Sequence, residues 1–279
     1  MEFEWLFNPV IEIISKILSN FLADILDSGI VLIVNFIKTP TDINAYLPVG
    51  TYISYIQIVA GALLALRVAW EVFGQLSGNI PEAENRSIGR IFLQVLWAGV
   101  LIFFLPILVT DILVRINNYT MDLISSITGS SIDVGALKSI LITTTSMFGL
   151  VLALIWGVGF LLLAVAGAIR YIELIIAILL APLAALSVVR GNNALTTWTA
   201  DTVAIVFTQS IHVLLLQFLI IIITNTSGIM MYFLSFAVMS IILRGPQVLR
   251  KYIYSTGTGG KVLPVVGGIG RMATVIIRK

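Results

Sequence analysis

Apolar residues along the chain come in long runs separated by short polar stretches, a pattern that predicts membrane-crossing helices. A transmembrane helix needs roughly 20 apolar residues, with a lower limit near 17. In lipid every backbone polar group must be paired internally, so such runs are predicted to be helical. Five runs are long enough: about Val49 to Val72, Ile91 to Val114, Met147 to Ala168, Ile172 to Val189 and Val203 to Ile223. A sixth run, Ile229 to Leu243, has about 15 residues and falls short of a span.

The N-terminal residues show a different pattern, with apolar positions at helical spacing and polar positions between them. Between residues 10 and 26 one stripe is apolar, while Glu12, Lys16 and Asp24 lie off it. This spacing predicts an amphipathic helix. We expect this helix to be too polar to cross a bilayer, and to lie on the membrane surface or pack on a partner. The apolar run from Ile30 to Ile37 is too short to span.

Two polar regions interrupt or follow the apolar runs. Residues 115–146 contain Asn117-Asn118 and a patch of Ser, Gly and Thr, which predicts two short interfacial helices broken at Gly129. The predicted regions are an amphipathic N-terminal helical region (1–45), a transmembrane helical domain (46–243, with polar loop 115–146) and a basic, Gly-rich tail (244–279). The predicted fold class is all-α, a polytopic transmembrane helical bundle of five or six spans with an amphipathic N-terminal helix.

Composition excludes several classes of protein and of site. Hydrophobic residues make up 59% of the 279 and charged residues 11%, against roughly 45–50% and 25% in soluble domains. Soluble, disordered and collagen-like chains are therefore excluded. With no cysteine and one histidine, the chain has no thiol chemistry, no Cys-ligated zinc site and no multi-histidine metal site. It also lacks HExxH and GxSxG, and we expect no catalytic residue, metal or cofactor.

The basic residues indicate an orientation. Seven Lys and Arg follow residue 243, and the positive-inside bias places that tail in the cytoplasm. If all six runs cross, 12 of the 16 basic residues are inside and 4 outside; if the sixth does not, 11 are inside and 5 outside. The two counts do not separate these topologies. We expect the tail residues Arg244, Arg250, Lys251 and Lys261 to contact lipid or a partner.

The fifth run carries the most informative polar residues. Thr197, Asp201, Thr208 and His212 are spaced by 4, 7 and 4 residues and share one helix face, which Gln209 flanks. One interpretation is a pore-lining face or a proton relay. The other is hydrogen bonding between helices, which contributes about 0.6 kcal/mol per bond and up to 1–2. Because Asp201 sits near the helix start and no carboxylate lies at mid-depth, the second interpretation is favoured.

Small residues and charged pairs indicate how the helices pack. Small residues at spacing four allow close helix approach. Two helix-packing faces have this spacing: Gly61, Ala65 and Ala69, and Ala177, Ala181 and Ala185. Three pairs at helical spacing are expected to neutralise each other: Arg67 with Glu71, Asp111 with Arg115, and Arg170 with Glu173.

The order of these features resembles a known family. An amphipathic helix precedes the spans and a polar loop, and a basic tail ends the chain. The local patterns are Arg170-Tyr171-Ile172-Glu173, Ala181-Pro182-Leu183, Arg190-Gly191-Asn192-Asn193 with Trp198, and Phe207-Thr208-Gln209 with His212. Over roughly residues 45–255 this resembles the TrbL-type polytopic inner-membrane subunit of type IV secretion systems, in the short form of Gram-positive conjugative elements.

The resemblance implies a function. A TrbL-type subunit is a non-enzymatic channel or scaffold of conjugative DNA transfer, a homo-oligomeric ring in the cytoplasmic membrane. Its implied partners are other copies of itself, other secretion subunits and their ATPases, lipid and translocating DNA. The alternative is a secondary transporter or ion channel for a small solute that uses the polar face of the fifth run. An intramembrane enzyme has the least support, because its motifs are missing.

Overall fold

Long helices make up almost all of the computed structural model, which describes residues 4–38, 41–76, 88–127, 147–190 and 193–255. The helices are α1 (Glu4–Ile33), α2 (Val49–Leu76), α3 (Ile88–Ile107), α4 (Val114–Ile127), α5 (Met147–Ala185), α6 (Ser187–Arg190), α7 (Ala194–Asn225) and α8 (Ile229–Ser255). Two π-helical turns, Val34–Lys38 and Leu108–Leu113, extend α1 and join α3 to α4. No strand occurs in these ranges, which confirms the all-α fold class.

Five stretches of helix are long and apolar enough to cross a membrane. They are Glu12–Ile37, Val49–Gly74, Ile91–Ser126, Val151–Val189 and Ala194–Asn225. Ile229–Gly245 is apolar but shorter. The number of these helical stretches agrees with the predicted five or six spans. Two of the stretches, however, differ from the predicted ones. The division into regions 1–45, 46–243 and 244–279 stays a prediction.

The first difference is at the N-terminus, where the predicted helix is present but is long and apolar enough to cross a membrane, contrary to the expectation that it is too polar. The amphipathic segment and the run from Ile30 to Ile37 belong to one continuous helix with its π turn, so Glu12–Ile37 has the length and composition of a span. Gly29 does not break this helix. A Cβ at Gly29 would lie 3.2 Å from that of Phe160, so the glycine lets α1 approach α5 closely.

The second difference is that the third and fourth runs form one helix. α5 continues through Arg170 to Ala185, and its 39 residues make it about 58 Å long at 1.5 Å per residue. The charge of Arg170 predicted a position at the membrane surface, near a helix end. In the structure only 2% of its surface is exposed, and it lies in the middle part of one continuous helix. The third and fourth predicted runs are therefore one candidate span, Val151–Val189.

The second run also extends further than predicted. α3, the π turn and α4 follow one another without a break from Ile88 to Ile127, so the expected loop begins as helix. α4 is the first of the two predicted interfacial helices, while the second, with Gly129, lies outside the described residues. Pro106 inside α3 leaves the carbonyl of Ile102 without its helical donor. Gln57 of α2 donates its Nε2 to that carbonyl at 3.4 Å.

The chain divides into two compact units, each with its own core. Unit 1 comprises residues 1–41, 117–171 and 207–246. At its centre Trp156 is fully buried, with edge-to-face contacts at 5.8 Å to Phe160 and 5.9 Å to Tyr232. Around it pack apolar residues of α1, α5, α7 and α8, among them Leu22, Leu26, Ile30, Leu163, Leu216, Leu219, Ile223, Met239 and Ile242.

Unit 2 comprises residues 42–116, 172–206 and 247–279, and its core is built from smaller side chains. The core residues are Ala60, Ile102, Leu105, Ala181, Ala185 and Leu195. In α2 only 17% of the apolar span is buried, against 56% in α7. The face of α2 that lies away from this core is therefore largely exposed.

Candidate functional site

The most polar part of the buried interior is a group of side chains in unit 1, here called the polar cluster. Four parts of the chain supply it: the segment after α1, and helices α4, α5 and α7. Its members are Thr41, Asn117, Asn118, Arg170, Gln209 and Ser210. A buried polar group costs free energy unless it is hydrogen-bonded, so the partners of each member decide what the cluster does.

Gln209 is the centre of the polar cluster. Its Oε1 accepts hydrogen bonds from Asn117 Nδ2 at 3.0 Å and from Thr41 Oγ1 at 2.5 Å. Its Nε2 donates to the carbonyl of Ile37 at 3.1 Å. An amide oxygen has two lone pairs, so both are used here. One side chain of α7 thus holds α4 and the end of the N-terminal helix.

Thr41 is held from three directions. Its backbone N–H donates to Asn118 Oδ1 at 3.1 Å, and Asn118 Nδ2 donates back to the Thr41 carbonyl at 3.3 Å. Arg170 Nη1 donates to Thr41 Oγ1 at 3.0 Å. The two bonds with Asn118 pair the backbone N–H and carbonyl of Thr41, just after the first helix ends. The buried guanidinium adds a charge-assisted bond to the same hydroxyl.

Ser210 completes the cluster on α7. Its Oγ donates to Asn117 Oδ1 at 2.7 Å, so Asn117 binds two consecutive residues of α7 through its two amide atoms. Such a bidentate contact fixes both the rotation and the sliding of one helix against the other. The cluster therefore acts as a set of interhelical bonds within unit 1.

The structure separates the five residues of the predicted polar face. Thr208, Gln209 and His212 are each 1% exposed and belong to unit 1. Thr197 is exposed in unit 2 and donates its hydroxyl to the carbonyl of Asn193, the residue just before its helix, at 3.2 Å. Asp201, half-buried, is also in unit 2. Gln209, predicted only to flank the face, has the most interhelical partners of these five among the described contacts.

His212 lies against a glycine of α8. A Cβ at Gly245 would come within 2.8 Å of His212 Nε2, so any other residue there would require the imidazole or the helix to shift. The next residue, Pro246, has no N–H and leaves the carbonyl of Ile242 without its helical donor. That carbonyl lies beside the imidazole. His212 thus packs where α8 has a gap in its hydrogen-bond ladder.

The sequence analysis missed most of the polar cluster. Thr41, Arg170 and Ser210 carried no signal for it, since their partners lie far away along the chain. Asn117-Asn118 did carry one, because two amides in a row are unusual in a helix that continues an apolar span. The doublet was assigned to a short interfacial helix of the polar loop 115–146 and not to the continuation of the apolar span, which hid this signal.

The two predicted helix-packing faces differ in their surroundings. Ala177, Ala181 and Ala185 are buried in unit 2. Gly61, Ala65 and Ala69 are exposed on α2, and a Cβ at Gly61 would meet nothing within 4 Å. With Val68 and Val72 they line an open apolar groove.

Outside the cluster, two of the three predicted charge pairs form. Arg67 pairs with Glu71 at 2.5 Å and Arg115 with Asp111 at 3.8 Å, which confirms two predicted pairs, while Arg170 with Glu173 stays a prediction. Of the predicted tail contacts, Arg244 is exposed, and the side chains of Arg250 and Lys251 and the whole of Lys261 lie outside the description. Across the described ranges no three His, Asp or Glu side chains gather into a metal-binding group.

Comparison with known proteins identifies the family. Residues 3–278 match the family described as conjugal transfer protein TrbL. The chain belongs to the TrbL family. This confirms the resemblance and extends it beyond residues 45–255. No curated protein and no solved structure matches the chain. The TrbL family places it in conjugal transfer, as a component of a type IV secretion system. The five long apolar helices are those of a multi-pass membrane protein.

Proposed function

We propose that this TrbL chain is a non-enzymatic channel and scaffold subunit of a conjugative DNA-transfer machine. It assembles as a homo-oligomer in the cytoplasmic membrane, with its C-terminus in the cytoplasm. It contacts other secretion subunits, their ATPases, lipid and the translocating DNA. Its family membership supports the place in conjugation.

The observation that carries the scaffold role is the use of Gln209. Both lone pairs of its oxygen and one N–H are bonded to other parts of unit 1. A solute-binding residue keeps donors and acceptors directed into a cavity for its ligand. Gln209 and Asn117 instead direct theirs at neighbouring helices, which favours a role in fixing helix positions over the binding of a small solute.

The exposed apolar surface supports an assembling subunit. Large apolar side chains are exposed along α2, α3 and α5, in a chain with 11% charged residues. Such surface is covered by lipid or by protein. A subunit that builds a ring needs two such faces, one for each neighbour.

The test is a deletion of the gene in a donor strain, complemented in trans. We expect conjugative transfer to fall to background while growth is unchanged, and the complemented strain to recover transfer. Native mass spectrometry of the protein purified in mild detergent should show a homo-oligomer. Transfer that persists in the deletion strain would overturn the role in conjugation, and a monomer at every detergent tested would overturn the ring.

The orientation is tested with a single cysteine. The chain has no cysteine, so Lys261→Cys gives one thiol in the tail. A membrane-impermeant maleimide should leave it unlabelled in intact cells and label it in permeabilised cells. Labelling in intact cells would place the tail outside.

A further inference from the structure

Helix α1 and the π turn that extends it carry polar side chains on their exposed side. Between Lys16 and Asn35 ten residues are exposed, and six of them are polar. At about 100° per residue these six fall within about a third of the helix circumference, on the side opposite the buried Leu22 and Leu26. This set, here called the α1 stripe, consists of Lys16, Asn20, Asp24, Asp27, Ser28 and Asn35.

The helix that carries the α1 stripe runs alongside α5 within unit 1. A Cβ at Gly157 would lie 2.9 Å from Ile25 Cγ2, and a Cβ at Gly167 would lie 2.8 Å from Ile37 Cγ1. The contacts advance in the same direction along both helices, over about 18 Å of α1 and its π turn at 1.5 Å per residue. Both helices are long and apolar enough to cross a membrane. A helix that follows a crossing helix in this way crosses with it and does not lie flat on the membrane surface.

These contacts place two carboxylates of the stripe in the middle of an apolar layer. Residues 147–169 of α5 include no charged residue and no Ser, Thr, Asn or Gln. They cover about 35 Å, close to the roughly 30 Å thickness of the hydrocarbon core. Gly157 is at the centre of this stretch, and Asp24 and Asp27 lie within two residues of its neighbour Ile25. Both aspartates are exposed.

Lipid is a poor cover for this face. An exposed charge in the middle of the hydrocarbon is costly, and charged residues of membrane helices face a protein interior or a water-filled cavity. The exposed side chains of α5 at the same depth, Ile155 and Val158, are aliphatic and suit lipid. The stripe combines charges of both signs with amides and a hydroxyl over about 28 Å from Lys16 to Asn35. One ion pair to a neighbour does not account for such a length, whereas water solvates every member.

We propose that the α1 stripe lines a water-filled path through the membrane in the assembled machine. This inference rests on the channel role of the proposed function and assigns a lining surface to it. The lining is on α1 and not on the predicted face of α7, whose Thr208, Gln209 and His212 are buried. Asp24 and Asp27 make the middle of the path attractive to cations, because rings of carboxylates concentrate positive ions.

Cysteine labelling in the full chain tests the proposal, since the parent has no cysteine. We would place Asn20→Cys, Asp24→Cys and Asp27→Cys one at a time and label membranes of donor cells that carry the complete machine with N-ethylmaleimide. This reagent reacts with the thiolate, which is suppressed in apolar surroundings. Matched controls are Val158→Cys on α5, 47% exposed, and Phe21→Cys on the apolar flank of α1, 55% exposed. We expect labelling at least several-fold faster at the stripe positions than at the controls.

The outcomes separate the α1 stripe from the proposed function. Transfer frequency is recorded for each variant, and Asn20→Cys changes no charge, so it tests the stripe even if the aspartate variants do not assemble. Labelling of Asn20→Cys as slow as that of Phe21→Cys overturns the water-filled path, and the role in conjugation stands if that variant still transfers DNA. Fast labelling of Val158→Cys as well overturns it too, because this depth would then lie outside the hydrocarbon. A deletion strain that still transfers DNA overturns the role in conjugation and with it the path.

Discussion

In unit 1 the side chains of Gln209, Asn117 and Ser210 bond to one another across helices, whereas in unit 2 Gln57 and Trp198 bond to backbone carbonyls of another helix. Gln209 and Asn117 represent the first arrangement. In unit 2, Gln57 bonds the Ile102 carbonyl freed by Pro106, and Trp198 Nε1 donates to the Ala177 carbonyl at 2.9 Å. Bonds between side chains select one helix arrangement, because both partners must be in place. The bond of Gln57 to the Ile102 carbonyl replaces a missing helical hydrogen bond, and a bond to a backbone carbonyl needs only one side chain in place.

The largest expected effect comes from Gln209→Leu, which removes the centre of the polar cluster. It leaves Asn117 Nδ2 and the Ile37 carbonyl without this partner, so we expect the free energy of unfolding to fall by about 2 to 3 kcal/mol. The measurement is the SDS fraction at half-unfolding in mixed micelles, followed by circular dichroism, together with the transfer frequency.

Gln217→Leu is the matched control on the same helix. Gln217 has one long bond, at 3.4 Å to the Ile124 carbonyl, and its Oε1 has no hydrogen-bond partner among the described residues. Removing it should change stability by less than about 0.5 kcal/mol. Equal losses for the two variants would contradict the special role of Gln209.

The second effect concerns the close contact of α1 with α5 in unit 1. A Cβ at Gly167 would lie 2.8 Å from Ile37 Cγ1 and 3.0 Å from Phe36 Cβ, so Gly167→Ala should cost about 1 to 3 kcal/mol from overpacking. In unit 2 the same change at the open Gly61 should be neutral or stabilise by up to about 1 kcal/mol. Thermal stability in detergent measures both. A destabilised Gly61→Ala monomer would show that this face is already in contact within the chain.

A third comparison uses two tryptophans, one in each unit. Trp198→Phe removes the donor to the Ala177 carbonyl and should cost about 1 kcal/mol beyond the loss of ring volume. Trp156 is fully buried, but its indole N–H meets no acceptor in the described part of the chain. Trp156→Phe therefore removes side-chain volume but no hydrogen bond. If the two changes lower the SDS midpoint equally once volume is allowed for, the Trp198 bond contributes nothing.

The smallest expected effect concerns the hydrogen bond from Gln57 that replaces the helical bond missing at Pro106. Gln57→Leu removes a 3.4 Å bond and should cost about 0.5 kcal/mol in the parent. In a Pro106→Ala background the backbone N–H of residue 106 returns to the Ile102 carbonyl, so Gln57→Leu should then cost nothing. A double-mutant cycle in SDS measures this coupling. Additive effects would mean that Gln57 does not depend on the proline.

Sequence patterns predicted the helices well where the signal was local. Apolar runs placed α2, α7 and the start of α8, and spacing alone gave the pairs of Arg67 with Glu71 and of Asp111 with Arg115. These features depend on residues within a few turns of one another.

The errors arose where a polar residue inside a helix has a distant partner. Arg170 seemed to end a span because its partner Thr41, 129 residues earlier, was unknown. Asn118 was assigned to a short interfacial helix of the polar loop for the same reason, since Thr41 is 77 residues away. One sequence does not reveal such pairs. The same limit applied to Gln209, whose position on α7 was noted but whose role depends on three other parts of the chain.

The polar cluster also sets an order of events during biosynthesis. Thr41 and Gln209 are 168 residues apart, and ribosomes add about 5 to 20 residues per second, so Thr41 is made roughly 8 to 34 s before its partner on α7. Throughout that interval the first helix lacks its bonds to Gln209. The arrangement of unit 1 is completed only when α7 has been made. In a nascent chain arrested before residue 209, the N-terminal helix would therefore lack its hydrogen bonds to Gln209.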